Sequence, residues 1–105
     1  LEIDRASRAE RQDHMAIGLY FGDGDFPADK YDEAIVRLEA AGAAAPPGRS
    51  YHVALEADGK INVFDVWESQ EAFDAFGATL MPILSELGVD PGAPMAMPVH
   101  NVIVG

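Results

Sequence analysis

The sequence predicts an α+β domain in the order strand–helix–strand–strand–helix–strand, and three observations carry that prediction. Two stretches, about 27–41 and the one opening at Ser69, repeat apolar residues at helical spacing. Between them, residues 50–57 and 60–67 are β-prone and flank Asp58-Gly59, a hairpin signal because both central residues of such a turn take positive φ. Apolar, β-prone runs at 15–22 and 99–104 open and close the pattern. Strands and helices in this order form one four-stranded antiparallel sheet with both helices on one face, the ferredoxin-like arrangement.

The first strand, "MAIGLYFG", is broken by "GDGD". In the first helix Tyr31, Ile35 and Leu38 form an i, i+4, i+7 stripe, with Pro27 near its start and Gly42 at its end. "AAAPPGR" is a connector. Ser69 is placed to cap the second helix, and Glu71 complements its positive N-terminal end. Phe73, Phe76, Leu80, Leu84 and Leu87 define that helix's buried face. Pro82 lacks a backbone donor, which predicts a kink or break near Met81. Residues 88–98, "GVDPGAPMAMP", read as an irregular arm before the last strand.

Size and charge narrow the function classes. With 105 residues, 49% of them hydrophobic, the chain suits one small domain. Eighteen acidic against 7 basic side chains leave a net charge of −11, which repels nucleic acid phosphates and anionic membranes, so neither is expected as a partner. The chain has no cysteine for disulfides, thiolate metal sites or thiol nucleophiles. Its apolar runs fall far short of the roughly 20 residues that cross a bilayer, and a cytoplasmic protein is the default reading. Asp23, Asp25 and Asp29 in "GDGDFPAD" lack the spacing and closing glutamate of a calcium loop and read as a solvated turn. His52, His100 and Asp65 are too scattered to read as a metal site, and no metal is expected.

The hairpin sets a register. A two-residue loop at Asp58-Gly59 places His52 opposite Asp65 in a non-hydrogen-bonded pair, where side chains lie close. One sheet face then carries Ala54, Ile61, Val63 and Trp67 beside His52, Asp65 and Glu56, while the other carries Tyr51, Val53, Leu55, Phe64 and Val66. Two helices cover only one face, and an open antiparallel sheet normally keeps its other side polar. The second apolar face therefore predicts a homodimer, sheet against sheet.

The segment "VFDVWESQEAF", residues 63–73, resembles the third strand and helix opening of proteins in the dimeric α/β-barrel superfamily, in particular those similar to antibiotic-biosynthesis monooxygenases. The order of elements over 15–105 resembles that superfamily throughout. The resemblance implies a fold shared by cofactor-free oxygenases, haem-degrading enzymes, isomerases and members without established activity. It places Trp67 in the cleft between sheet and helices where such proteins hold ligands. Leu19 and Phe21 from the first strand, Phe73, Phe76 and Met81 from the second helix, and His100 and Asn101 from the last strand are the further ligand-binding candidates. Two departures stand out. The family's oxygenases and haem degraders carry an asparagine on the pocket face of the first strand, where this chain has Ile17, Leu19 and Phe21. Haem degraders take an iron ligand from a histidine of the second helix, and between Gln70 and Leu87 there is none. No cofactor is expected.

His52 and Asp65 are the catalytic candidates. An aspartate beside an imidazole fixes its tautomer and favours its protonated form, the base-plus-orienter arrangement of acid–base catalysis. Trp67 would supply a flat wall for a small aromatic or enol-like compound. Two readings follow: a cofactor-free monooxygenase-like or isomerase-like enzyme, or a non-catalytic dimeric module that binds an apolar ligand or acts structurally. In the latter, His52 and Asp65 are a satisfied cross-strand pair, Trp67 is core, and His100 or Asn101 serves the dimer seam. Met81, Met95 and Met97 suit an adaptable pocket or simple core filling.

Residues 1–14, "LEIDRASRAERQDH", include seven charged side chains and read as a tag or upstream extension, the alternative being a charged helix packed on the domain. Their removal should leave the melting temperature nearly unchanged; a fall of more than about 5 °C, the equivalent of about 1 kcal/mol in a domain of this size, would show that they pack on the domain.

Overall fold

A computed structural model describes residues 16–105; the expectation for residues 1–14 lies outside the described residues. The elements are β1 (Ile17–Phe21), α1 (Ala28–Ala40), β2 (Arg49–Ala57), β3 (Lys60–Trp67), α2 (Gln70–Leu87) and β4 (Met95–Pro98). The strands form one antiparallel sheet in the order β2-β3-β1-β4. This is the ferredoxin-like arrangement that the sequence predicts.

The hairpin turn has φ of 54° at Asp58 and 78° at Gly59, the paired positive values that a tight connection between twisted strands requires. Its ladder runs unbroken from Ala57↔Lys60 to Tyr51↔Val66 and includes His52↔Asp65. Beyond Tyr51 the register slips by one residue, so that Arg49 pairs with Trp67. That slip is a β-bulge at Ser50.

The helices bury one face of the sheet. Leu19, Leu38, Trp67 and Phe76 form one core cluster, and Ala34, Leu84 and Val89 another. Trp67 is wholly buried, meeting Phe73 edge-on at 5.5 Å between ring centroids and Phe76 at 5.3 Å. Ser69 caps α2 by accepting from the Ala72 amide at 3.1 Å, an interaction worth about 1 kcal/mol. At the other end Gly88 takes φ 70°, which lets the Val89 amide reach back to the Leu84 carbonyl at 2.9 Å and buries Val89.

Two expectations are corrected. Of the kink or break expected near Met81, the break is absent: helix α2 continues through Pro82 to Leu87. Pro82 and Ala78 are both exposed, so the Ala78 carbonyl that loses its amide partner faces solvent, where hydration offsets the loss. The last strand is Met95–Pro98 rather than 99–104. The loop before it is tied to the β1–α1 loop, with the Asp25 amide donating to the Asp90 carbonyl at 2.8 Å, so residues 95–98 are the first to reach the edge of β1. An edge strand also tolerates a proline at its end. After the Val99 amide bonds the Ala16 carbonyl at 2.9 Å the chain leaves the sheet, with Val102, Ile103 and Val104 exposed by 60, 87 and 92%.

Among the described residues the other sheet face has no helix over it. Tyr51 and Leu55 of β2 and Met95 and Met97 of β4 are all more than half exposed there, beside the half-buried Val53, Phe64 and Val66. Among the described residues no helix is long and apolar enough to cross a membrane.

Candidate functional site

Four side chains from three elements form a continuous hydrogen-bonded chain under the helices. The Trp67 indole N–H donates to Asp65 Oδ2 at 3.3 Å, Asp65 Oδ1 meets His52 Nδ1 at 2.5 Å, and His52 Nε2 meets the Tyr31 hydroxyl at 2.6 Å. Strand alternation puts Asp65 and Trp67 on one face of β3, the hairpin register brings His52 opposite Asp65, and the first exposed-to-buried turn of α1 lowers Tyr31 onto His52. The Tyr31 and His52 rings are nearly parallel, 3° apart, and Phe26 packs on the other side of Tyr31 at 5.8 Å.

The protons can be assigned from donor chemistry. An ionised carboxylate only accepts, so Asp65 takes one N–H from Trp67 and one from His52 Nδ1. For a neutral imidazole Nε2 is then the acceptor, and the Tyr31 hydroxyl donates to it. Burial raises the Tyr31 pKa above its ordinary value; the Arg49 guanidinium opposes the shift, and Asp65 and Asp32 add to it. The phenol is therefore held protonated, as a donor to Nε2 must be.

Asp65 is the buried charged residue of the core, its side chain 7% exposed, whereas the His52 side chain keeps 21% exposure. An uncompensated carboxylate there would cost several kcal/mol, and its two donors offset that cost. Among the described residues no buried side-chain nitrogen or oxygen lacks a partner. No group of three or more histidine, aspartate or glutamate side chains among them is placed to hold a metal ion.

Tyr31, His52 and Asp65 of this hydrogen-bonded chain line a cavity of about 60 Å³ between sheet and helices. Phe21, Phe73 and Phe76 give it aromatic walls, Phe26 and Pro91 close one end, and Tyr31, His52, Asp65 and Arg49 supply its polar groups. Of the residues singled out in the sequence, His52, Asp65, Phe21, Phe73 and Phe76 thus share this cavity. Leu19 and Trp67 lie behind it in the core, 1% and 0% exposed. Met81 is half exposed on the outside of α2, and His100 and Asn101 follow the end of β4 as exposed residues away from the cavity. Met95 and Met97 belong to the open sheet face. Tyr31 and Arg49 were not singled out for chemistry by sequence reasoning. Tyr31 was legible as the one stripe residue of α1 with a polar tip; Arg49 depends on the bulge, which no local signal announces.

A second hollow, about 270 Å³, lies between the α1–β2 connector and α2. Glu68 is the one titratable side chain in its lining, so the smaller cavity is the one with chemistry.

The raised pKa has a stability consequence. Below about pH 10 the Tyr31 phenol is protonated in folded and unfolded chains alike and the stability is intact; above it the unfolded chain releases the proton first and stability declines. An ultraviolet titration of phenolate absorbance should show a component that ionises later than ordinary tyrosine and disappears in Tyr31→Phe. An identical curve for the variant would mean that Tyr31 is not buried against His52.

No family model matches the chain, and no curated protein matches it in sequence. Solved structures match it in fold. A candidate antibiotic biosynthesis monooxygenase from Chloroflexus aurantiacus superposes with a TM-score of 0.54 at 18% identity, covering 86% of this chain and 99% of that one. SnoaB, a cofactor-independent oxygenase from Streptomyces nogalater, gives 0.54 at 17% identity over 85% and 94%. NE2512, a protein of unknown function from Nitrosomonas europaea, gives 0.51 at 15% over 89% and 97%. The chain thus has the ferredoxin-like fold of antibiotic-biosynthesis-monooxygenase-like proteins, over nearly the full length of each.

Proposed function

We propose that this is a dimeric protein whose cleft receives a small aromatic or enolic compound, and that His52 removes a proton from it without a cofactor. The observation that carries the reading is the hydrogen-bonded chain Trp67–Asp65–His52–Tyr31, whose last three members line, with Arg49, an otherwise apolar cavity. Asp65 holds the imidazole with Nε2 towards the cavity and stabilises the imidazolium once the proton arrives. The Tyr31 hydroxyl occupies Nε2, and about 60 Å³ holds roughly two waters and no aromatic ring. Displacement of Tyr31 by an incoming ring would enlarge the space and free the base in one movement. Where dioxygen is the acceptor, the substrate carbanion adds it, the peroxide takes up a proton, and loss of water leaves a carbonyl. One oxygen atom enters the product and the other leaves as water. The likeness in fold to a cofactor-independent oxygenase supports this chemistry without assigning it.

The dimer rests on the uncovered apolar sheet face. A second copy laid on it would also receive the apolar residues 102–104, which are exposed among the described residues, and His100 and Asn101 would then lie at the seam. The small volume of the cavity favours a second reading, a dimeric binding module without turnover. A cytoplasmic home remains our reading of the cysteine-free composition.

Sedimentation equilibrium at micromolar concentration should return a dimer; single subunits alone would remove that part of the proposal. For the chemistry, the protein is incubated with a panel of dihydroxybenzenes and hydroxynaphthalenes while oxygen uptake and product mass are followed. His52→Ala should slow conversion by about 100-fold or more and leave the dimer intact. An unchanged rate would dispose of the base assignment, and binding without conversion by the wild type would establish the module.

A further inference from the structure

The bulge in β2 recruits a cation to the cleft. Strict alternation from His52 would send residue 49 to the open sheet face, but the slip at Ser50 pairs Arg49 with Trp67 and turns it under the helices. There its guanidinium lies over the Phe76 ring, 5.8 Å from the centroid, and Nη2 donates to the Ala44 carbonyl at 2.9 Å. That single bond leaves most of the five-donor fork unused among the described residues. The other basic side chains of residues 16–105 are differently placed: Arg37 pairs with Glu33 and Glu86, Lys60 with Asp25, and Lys30 is exposed on α1. Arg49 has no carboxylate within 4 Å among the described residues, although the chain carries a net charge of −11. It lines the same cavity as His52 and Asp65. Its opposing pull on the buried Tyr31 phenol places its charge within electrostatic reach of the base.

We propose that Arg49 is the specificity-determining residue of the cleft and that the ligand is a ring compound carrying a carboxylate, held by Arg49 at one end while its acidic hydrogen faces His52 at the other. The inference rests on the cleft proposed above and names the class of compound it takes. Across the bulge Arg49 and His52 lie opposite Trp67 and Asp65, two residues apart on β3 and so roughly 7 Å at about 3.3 Å per residue, and both side chains reach inward, so the gap suits one aromatic ring with substituents at opposite ends. A guanidinium matches a carboxylate geometrically as well as in charge. The acidic surface repels anions at long range, but that field is screened beyond about 8 Å at physiological salt, so a cation inside the cleft decides what stays.

The test is a matched pair of probes, 4-hydroxybenzoate and the neutral 4-hydroxybenzamide, titrated calorimetrically into the full chain. The wild type should bind the benzoate at least about tenfold more tightly, Arg49→Met should abolish that preference while leaving benzamide affinity unchanged, and Arg49→Lys should restore part of it. Equal affinity of the wild type for both probes would overturn the inference without recourse to any variant, and so would an equal loss for both in Arg49→Met, which would leave Arg49 a purely structural clamp on Ala44 and Phe76. In both cases the cleft itself survives, because the benzamide still binds. Binding of neither probe would overturn the cleft and this inference together.

Discussion

The placement of a carboxylate in an apolar core is the constraint on which the rest of the structure depends. Asp65 lies in the middle of β3, one position from the fully buried Trp67 on the same face, and the layer above it is aromatic. Such a group stays ionised only if donors come to it, and they come from the two directions that the hairpin makes available: along its own strand from the indole, and across the ladder from the imidazole. Each donor is fixed in turn by its own setting. The indole is clamped by Phe73 and Phe76 of α2, and the imidazole by the hydroxyl of Tyr31 from α1. One buried charge therefore ties both helices to the sheet at a single point, and the same contacts that satisfy it leave one imidazole nitrogen directed at the cavity.

The bulge at Ser50 is the second departure from regularity, and it acts on the same place. A regular β2 would have put His52 under the helices and Arg49 on the open face. By spending one unpaired residue at the start of the strand, the chain carries both on the covered side, three residues apart. The disruption falls where β2 emerges from the "AAAPPGR" connector, far from the turn at Asp58-Gly59, so the ladder that sets His52 against Asp65 is undisturbed. Irregularity confined to one end of an edge strand alters which side chains face the cleft while the base and its orienter keep their register.

The parts of this arrangement legible in the sequence are those governed by local rules. Asp58-Gly59 fixes a two-residue turn, the turn fixes the pairing of His52 with Asp65, and alternation assigns each residue of β3 to a face; all three hold in the structure. The helices follow from their stripes and from Ser69 and Gly88 at the ends of α2. What local rules cannot carry is contact between elements. Tyr31 reads as an ordinary core residue of an amphipathic helix until α1 is laid on β2 and its hydroxyl meets His52. Arg49 is assigned to the wrong face by alternation alone. The apolar run at 99–104 reads as the last strand, whereas the edge of β1 takes residues 95–98 instead and accommodates Pro98 at the strand's end. Trp67 illustrates the same limit from the other side: its position beneath the helices is legible, but that Phe73 and Phe76 close over it, leaving them and not the indole on the cavity wall, depends on how α2 packs.

The two faces of β3 couple the site to the open side of the sheet. Asp65 sits between Phe64 and Val66, whose side chains point to the open face, so among the described residues the strand that carries the buried carboxylate has helices on one side only. Side chains on the two faces share one backbone, and in a close-packed interior displacements of either set are transmitted to the other. Covering Phe64, Val66, Tyr51 and Leu55 would restrain β2 and β3 together, and with them the His52–Asp65 pair that spans the two strands. That pair joins the edge strand β2 to its neighbour, so it shares whatever stiffness the hairpin has. A covered sheet holds the imidazole against the carboxylate and leaves Tyr31, on the helix side, as the member of the chain able to move. The proposed assembly through the open face and the proposed base chemistry in the cleft therefore make the same demand on one pair of strands, and the apolar residues of the open face bear on the site as well as on the sheet surface.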